Sequence, residues 1–175
     1  DVLGHAAAEA AGMLETSVAA VNGALRRARA TLDAELPRGA PGLDRSDGTE
    51  LELLARYVRA WEAGDAGAIA ALLREDAILS MPPDVLWFRG REAIAAYLAR
   101  GPLAGDPRGR FRLLPLGANA QPAFALYHRA EDGVHRALAI MVLALRGGAV
   151  AEITGFLDGR LFPRFGVAAE FGRDG

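Results

Sequence analysis

Apolar residues recur at two different spacings along the chain, and the change between them separates predicted helices from predicted strands. Over residues 6–32 and again over residues 51–61, 69–73 and 91–100 the apolar positions recur at the period of a helix with one buried face. From Arg110 onward the period is two, which is typical of strands with one buried face. Helices followed by an antiparallel sheet predict the α+β class.

The first helical stretch, Ala6 to Leu32, is predicted to form two helices joined by a tight turn. Alanines in its first half allow a second helix to approach closely, as a helix-turn-helix requires. Thr16 or Ser17 is placed to cap the second helix. We expect one stripe of that helix to be buried, namely Val18, Val21, Leu25, Ala28 and Leu32.

The other face of the second helix is polar and carries arginines, which predicts a recognition helix directed toward a DNA groove and its phosphates. The candidate DNA-binding residues are Ser17, Ala19, Asn22, Gly23, Arg26, Arg27 and Arg29. A plain helical hairpin with a solvated arginine face fits the same periodicity. The segment up to Leu36 is not basic overall, so it is predicted to bind DNA weakly unless other contacts hold it on the duplex.

A run of proline, glycine and polar residues without periodicity, PRGAPGLDRSDG, follows these helices and indicates a linker. We therefore predict three segments: a helical module over residues 1–36, a linker over 37–48 and a second module over 49–175. Thr49 and Glu52 form a predicted capping box at the start of the second module, and Asp65 is placed to cap the next short helix.

The rest of the second module alternates between predicted strands and one further helix. A strand over Asp76 to Met81 ends at Pro82-Pro83, and Trp87-Phe88 forms a short strand or turn edge before a helix over Arg91 to Arg100. The glycine pair Gly147-Gly148 predicts a two-residue hairpin, because such turns need positive φ angles. The four later strands are predicted over Phe111–Leu116, Ala123–Arg129, Arg136–Leu145 and Val150–Leu157.

Composition narrows the function classes. The 175 residues are 51% hydrophobic, with a formal net charge of −2 and no cysteine. Disulfides, zinc-thiolate sites and cysteine nucleophiles are therefore excluded, which fits a cytoplasmic protein. All 20 basic residues are arginine, so lysine chemistry is excluded as well. The longest apolar run, Ala137 to Leu145, falls far short of the roughly 20 residues that span a bilayer, and the start at Asp1 suggests a fragment or a processed form.

The stretch DVLGHAAAEAAGMLETSVAAVNGALRRARATL resembles the end of region 4 in extracytoplasmic-function (ECF) sigma factors. In that family a Glu-x-Ala helix, a turn and an arginine-ending recognition helix contact the promoter's −35 element. The matching positions are Glu9, Ala11, Leu14, Ser17, Val21, Leu25, Arg27, Ala28 and Arg29. The sequence departs from the pattern at Glu15, where a turn glycine is usual, and at His5, where tryptophan or serine is common.

The second module resembles SnoaL-like members of the NTF2-like superfamily over Leu51 to about Gly166. The resemblance is carried by WEAGDAGAIAALLREDAILSMPP, then FRGREAIAAYL, then AVAEITGFLDGRLFPRFG. It implies a cone of curved antiparallel sheet closed by helices, with an internal pocket. Some ECF sigma factors carry a SnoaL-like extension directly after region 4, so the order of the two resemblances strengthens both.

A cone of this kind offers an apolar site with a few polar groups, the usual form of a small-molecule site. The candidate lining residues are Tyr57, Trp61, Met81, Trp87, Phe124, His128, Met141 and Phe156, although each is also a natural core residue. Strand parity places Phe124, Leu126 and His128 on one face of their strand. If Phe124 points inward, His128 does so too.

Enzymes with this fold use an aspartate or a histidine as a general base, with a pKa tuned by the apolar cavity. Asp84, His128 and Asp158 are the weak catalytic candidates here. No carboxylate near His128 in sequence is placed to orient its ring. The three histidines lack metal-ligand spacing, and no GxSxG, phosphate-loop or GxGxxG motif occurs, so neither a metal nor a cofactor is predicted.

Together the resemblances imply a part of an ECF-type sigma factor that acts with core RNA polymerase at promoter DNA. The SnoaL-like extension is then expected to modulate that activity, through protein contact or through an unknown small-molecule ligand. The alternative is a free-standing SnoaL-like enzyme of isomerase, cyclase or epoxide hydrolase type, or a ligand-binding protein, whose first helices serve for packing or oligomerisation.

Overall fold

The computed structural model describes residues 6–35 and 48–171. The chain divides into two compact units, Asp1–Ala40 and Pro41–Gly175. Apart from Gly48, the predicted linker lies outside the described residues, as does the departure at His5.

The first unit contains helix α1 (Ala7–Met13) and helix α2 (Val18–Glu35). The Glu9 carboxylate accepts a hydrogen bond from the Ala6 N–H at 2.8 Å, which satisfies a free donor at the start of α1. Ser17 rather than Thr16 caps α2, because the Ser17 Oγ accepts from the Ala20 N–H at 3.1 Å. The two N-terminal helices predicted from the sequence are therefore present.

The turn between α1 and α2 contains a strained residue. Glu15 has a φ angle of 50°, in the left-handed region that glycine occupies at little cost. The backbone of the turn therefore adopts the conformation that a glycine would favour, with a glutamate in its place.

The predicted buried stripe of α2 is mostly exposed. Val21 is buried against α1, where Ala11 is also buried, but 44% of Val18 and 38% of Leu25 remain exposed. Ala28 is exposed too, and the side chain of Leu32 lies outside the described residues. The prediction is wrong for the exposed positions because α1 is only seven residues long and covers one short section of α2.

Over residues 48–171 the second unit is a mixed structure of three α-helices, seven strands and a 3-10 helix. Its α-helices are Gly48–Ala63 (α3), Ala66–Ala71 (α4) and Arg91–Arg100 (α5), and the 3-10 helix is Gly159–Phe165. Its strands are Leu73–Ser80 (β1), Trp87–Arg89 (β2), Phe111–Ala118 (β3), Gln121–Arg129 (β4), His135–Arg146 (β5), Ala149–Phe156 (β6) and Glu170–Phe171 (β7).

The strands form one sheet in the order β2-β1-β6-β5-β4-β3, and β7 pairs with the start of β5. The pairs are antiparallel except β1 with β6, which is parallel. Register shifts interrupt the pairing of β4 with β5 and of β5 with β6, and such irregularities bend a sheet. The α+β class and the curved sheet are confirmed, whereas the parallel pair, β7 and the 3-10 helix were not predicted.

Both faces of the sheet are buried along β4, and the alternation of side chains explains how. Phe124 and Leu126 belong to the main core, which the sheet shares with residues of α3, α4 and α5. Ala125 and Tyr127 belong to a second cluster on the opposite face. There Phe162 of the 3-10 helix meets the Tyr127 ring edge-on at 5.0 Å between centroids, so the 3-10 helix covers part of the outer face.

Local chemistry explains where several elements begin and turn. The Asp65 carboxylate accepts from the Ala68 N–H at 2.8 Å and caps α4, as predicted. Gly147 and Gly148, with φ angles of 61° and 74°, form the predicted hairpin between β5 and β6. The β3–β4 hairpin uses the same conformation without glycine, because Asn119 and Ala120 have φ angles of 50° and 64°.

Candidate functional site

The predicted DNA-binding residues lie along α2 and its cap. Ala19, Asn22, Arg26 and Arg27 are exposed, and Gly23 lies half-buried among them. Ser17 is also exposed and serves as the helix cap, whereas the side chain of Arg29 lies outside the described residues. Among the described side chains, no carboxylate lies within salt-bridge distance of Arg26 or Arg27, and both arginines are exposed.

The second unit contains a small apolar cavity between the sheet and its helices. Its volume is about 80 Å³, whereas sites for small molecules usually measure about 300–1,000 Å³. Three of the predicted lining residues, Trp61, Met81 and Met141, contribute to its wall. The full set of lining residues is Trp61, Leu79, Met81, Tyr97, Leu98, Pro102, Phe111, Leu126, Leu138, Ala139, Met141, Gly155 and Leu157.

Aromatic side chains fill most of the space inside the curved sheet, which explains why the cavity is small. Tyr57 and Phe124, two other predicted lining residues, are fully buried beside each other with their ring centroids 5.7 Å apart. Trp61 lies 6.4 Å from Tyr57 and contacts Phe111 edge-on at 5.5 Å. Tyr57 and Phe124 are therefore core residues in this structure and do not line the cavity.

Two buried polar atoms lie in this aromatic cluster. Neither the Tyr57 hydroxyl nor the Trp61 Nε1 has a hydrogen-bond partner of regular geometry among the described residues. Burial raises the pKa of the Tyr57 phenol, and the Trp61 indole lowers this pKa by a smaller amount. The phenol is therefore neutral at ordinary pH and offers a polar O–H group but no charge.

Trp87 and Phe156 lie outside the cavity, for different reasons. Trp87 is 54% exposed on β2, an edge strand of the sheet, and the Arg89 guanidinium lies 5.5 Å from its ring centroid. Phe156 pairs with Ile140, a member of the outer cluster, so strand parity places it on the outer face. The hypothesis that both line an internal pocket is not supported by these positions.

His128 lies on the same face of β4 as Phe124, in agreement with its predicted parity. It is half-buried at the end of the strand, where its ring contacts Phe111 edge-on at 5.5 Å. Burial, Arg110 and His135, in that order, lower the pKa of the imidazole. His128 does not line the apolar cavity but opens onto a surface cleft with three arginines.

The three weak catalytic candidates are not brought together at the cavity. Asp84 is exposed in the segment between β1 and β2. Asp158 caps the 3-10 helix by accepting from the Arg160 N–H at 2.9 Å, and the Arg160 guanidinium donates to the same carboxylate at 2.8 and 2.9 Å. These hydrogen bonds lower the pKa of Asp158, which makes it a weaker base.

A surface cleft that was not predicted from the sequence lies beside His128. The cleft has a volume of about 700 Å³ and lies where β3 begins and β4 ends. We call it the basic cleft, and its lining residues are Arg108, Gly109, Arg110, His128, Arg129, Ala130, Glu131 and Gly133. The clustering of arginines at positions 108 and 110 was the available signal, but their proximity to Arg129 depends on strand pairing.

Two other kinds of site are absent from residues 6–35 and 48–171. No group of three or more histidine, aspartate or glutamate side chains there is arranged to hold a metal ion. No helix in that part of the chain is both long enough and apolar enough to cross a membrane.

The chain is similar to the ECF RNA polymerase sigma factor SigG of Mycobacterium tuberculosis, in the CDC 1551 / Oshkosh strain and in the ATCC 25618 / H37Rv strain. Each is 41% identical over 168 residues, which cover 95% of this chain and 45% of SigG. The chain therefore spans about half the length of the curated relatives that it matches. This similarity confirms the resemblance to ECF sigma factors.

Solved structures share the fold of the second unit. An NTF2-like protein of unknown function from Burkholderia xenovorans LB400 has a TM-score of 0.53 and 22% identity, over 63% of this chain and 83% of its own. A protein from Kribbella flavida DSM 17836, provisionally named a ketosteroid isomerase, has a TM-score of 0.51 and 19% identity, over 63% of this chain and 78% of its own. At these identities the likeness concerns the fold. Residues 54–153 match the SnoaL-like domain family, and the chain belongs to that family.

Proposed function

We propose that the chain is part of an ECF-type sigma factor that recognises promoter DNA together with core RNA polymerase. The observation that carries this proposal is the 41% identity to SigG, which extends over 95% of the chain and so includes both units. A SnoaL-like enzyme preceded by unrelated helices would match a sigma factor over one unit at most. A sigma factor acts where the genome is transcribed, so the protein works in the cytoplasm.

The first unit supplies the −35 contact in this proposal. The exposed residues Ala19, Asn22 and Arg26 recur at helical spacing along α2 and, with the half-buried Gly23, form one continuous surface. Arg26 and Arg27 suit contacts with guanine edges and phosphates, since a planar guanidinium group can form paired hydrogen bonds. Two charges provide modest affinity, so the polymerase complex holds the helix on DNA.

The SnoaL-like unit modulates this activity without catalysis. The support comes from three features already described: a cavity of about 80 Å³, an exposed Asp84, and an Asp158 bound by Arg160. An enzyme of this fold needs a base aimed into a cavity large enough for its substrate. Modulation then operates through contact with the rest of the sigma factor or with polymerase. An unknown small-molecule ligand of the cavity would have to be small and apolar.

The recognition surface can be tested in the full-length protein assembled with core polymerase. Replacing Arg26 and Arg27 by alanine removes both guanidinium groups while retaining helix-forming residues. We expect discrimination between a promoter and its −35 variant to fall about tenfold or more, because one good base contact contributes about 1–3 kcal/mol. The measurement is competition binding of the holoenzyme to the two duplexes.

A matched control removes two exposed arginines of the second unit, Arg146→Ala with Arg164→Ala, and so changes the net charge equally. This control is expected to keep the discrimination between the two duplexes. Equal discrimination by the Arg26/Arg27 variant and the wild type would contradict the proposed role of α2.

A further inference from the structure

We propose that the basic cleft of the second unit is a second DNA contact, which binds the phosphodiester backbone of duplex promoter DNA. The inference rests on the proposed promoter function and extends it to a unit for which no DNA contact has been assigned. It concerns backbone phosphates and not base sequence.

Three arginines make the cleft positively charged. Arg108 and Arg129 are exposed and Arg110 is half-buried, and none of the three forms a salt bridge with a described carboxylate. Elsewhere on this unit several arginines are paired, for example Arg74 with Asp76 and Arg160 with Asp158. The cleft therefore gathers three guanidinium groups that no described carboxylate neutralises in a salt bridge, and Glu131 is the acidic residue in its lining.

The backbone that carries these arginines is fixed in place. The Arg110 guanidinium donates to the carbonyl oxygens of Pro102, Ala104 and Asp106 at 3.2, 3.1 and 2.9 Å, which ties down the loop before β3. The Arg129 N–H donates to the Arg110 carbonyl at 2.7 Å. Arg108 and Arg129 thus extend from an ordered backbone, which reduces the entropy lost on binding.

The hydrogen-bond donors that the cleft still offers to a ligand are mainly charged guanidinium groups, which favours an anionic ligand. The backbone N–H groups of Gly109, Arg110, Ala130 and Gly133 already donate to carbonyl oxygens inside the protein. The lowered pKa of His128 leaves its imidazole neutral at pH 7, so it adds polarity but no charge. Binding then depends on guanidinium groups, which pair with phosphate through two parallel hydrogen bonds.

Duplex DNA fits the cleft better than a compact anion or an acidic protein segment does. The cleft is open and has no enclosed cage of donors that would retain a free phosphate, and Glu131 in its wall repels a concentrated charge. It also lacks the exposed apolar side chains that usually accompany a protein docking site. Arg26 and Arg27 of α2 provide few phosphate contacts, so further contacts from the second unit would raise the affinity for DNA.

The experiment measures how the DNA affinity of the full-length holoenzyme depends on salt. Replacing Arg108 and Arg129 by glutamine should lower the slope of log K against log salt by about 0.9 for each lost contact, or about 1.8 for both. The ratio of affinities for promoter and −35 variant should stay unchanged. The charge-matched control, Arg146→Gln with Arg164→Gln, is expected to leave the slope at the wild-type value.

Three results would overturn the inference: an unchanged slope in the Arg108/Arg129 variant, an equal loss in the control, or cleft-dependent binding of poly-glutamate but not of DNA. The last would identify an acidic protein segment as the ligand. The Arg26/Arg27 variant separates this test from the proposed function. If that variant keeps its sequence discrimination while the cleft variant loses slope, the proposed role of α2 fails and the phosphate contact stands.

Discussion

The two units of the chain differ in how completely they bury their own apolar residues. In the second unit a sheet packs against helices on one face and against a 3-10 helix on the other, and residues such as Tyr57, Phe124 and Ile153 are almost fully buried. Among the described side chains of the first unit, Ala11 and Val21 are buried, while Leu14 is 69% exposed. The second unit therefore has a complete core, whereas the first has little more than a helix contact.

This difference fits the division of roles that we propose. A surface that contacts another molecule must be exposed in the free protein, so it cannot also be buried in that protein's own core. In the first unit, both apolar residues and arginines of α2 are exposed. In the second unit, aromatic side chains fill most of the space inside the curved sheet. Stability thus resides in the second unit, and we assign recognition chiefly to the first.

The largest expected effect is a loss of stability in the core of the second unit. Phe124→Ala should lower the free energy of unfolding by about 3–5 kcal/mol, because it removes a fully buried ring. Trp87→Ala, at a position that is 54% exposed, should lower it by less than about 1 kcal/mol. Denaturant unfolding of the full chain measures both. Equal losses would show that burial does not determine stability here.

The same comparison within the first unit should give a smaller effect. Val21→Ala removes two buried carbon groups and should lower the local opening free energy of α2 by about 1.6 kcal/mol, at about 0.8 kcal/mol per group. Val18→Ala, the same change at a position of α2 that is 44% exposed, should lower it by about 0.9 kcal/mol, because only just over half of this side chain is buried. Amide hydrogen exchange over α2 reports this quantity. A loss from Val18→Ala as large as that from Val21→Ala would mean that Val18 is covered in solution.

Both units contain non-glycine residues with a positive φ angle. Replacing such a residue by glycine should give a still smaller effect, an increase in stability. Ala120→Gly should stabilise the second unit by about 0.8 kcal/mol, since it relieves about 1–2 kcal/mol of strain and costs about 0.4–1 kcal/mol in unfolded-state entropy. Glu15→Gly should strengthen the α1–α2 turn for the same reason. Ala118→Gly, within β3, is the matched control and should destabilise. Thermal unfolding that ranks the control above Ala120→Gly would contradict the assigned turn.

The smallest expected effect is electrostatic. The Arg136 guanidinium holds the pKa of Asp132 at about 2, below the ordinary 3.8, through hydrogen bonds at 3.0 and 2.6 Å. Because the folded pKa is lowered, this pair stabilises the fold above about pH 4 and loses that contribution as the pH falls toward 2. Arg136→Gln should raise the Asp132 pKa toward 3.8, as followed by NMR titration of its carboxyl. An unchanged pKa would show that the ion pair is not formed in solution.

Much of the fold could be predicted because local signals were strong. Helix α5 has the predicted limits, Arg91–Arg100, and the last four predicted strands lie within two residues of β3, β4, β5 and β6. Periodicity and turn glycines determine these elements. By contrast, β1 begins three residues before the predicted Asp76, because its first residue, Leu73, pairs with Val150 of β6 and this long-range partner leaves no local pattern.

The candidate sites were harder to predict because they depend on long-range packing. The alternation of side chains along β4 correctly placed His128 on the same face as Phe124. It could not show that the rings of Tyr57 and Phe124 fill the space inside the curved sheet. The exposure of Trp87 follows from the edge position of β2, which depends on strand order and not on local pattern. The basic cleft likewise joins Arg108 and Arg129, which are distant in sequence.

Promoter-dependent transcription by the full-length protein, reconstituted with core RNA polymerase, tests the central claim most directly. The comparison is between the intact protein and a form lacking residues 48–175, the SnoaL-like unit from the start of α3. We predict that both forms initiate at the promoter and that removal of this unit changes the initiation rate or the promoter selectivity. Unchanged initiation and selectivity would contradict modulation by the SnoaL-like unit, and initiation by neither form would contradict sigma-factor function.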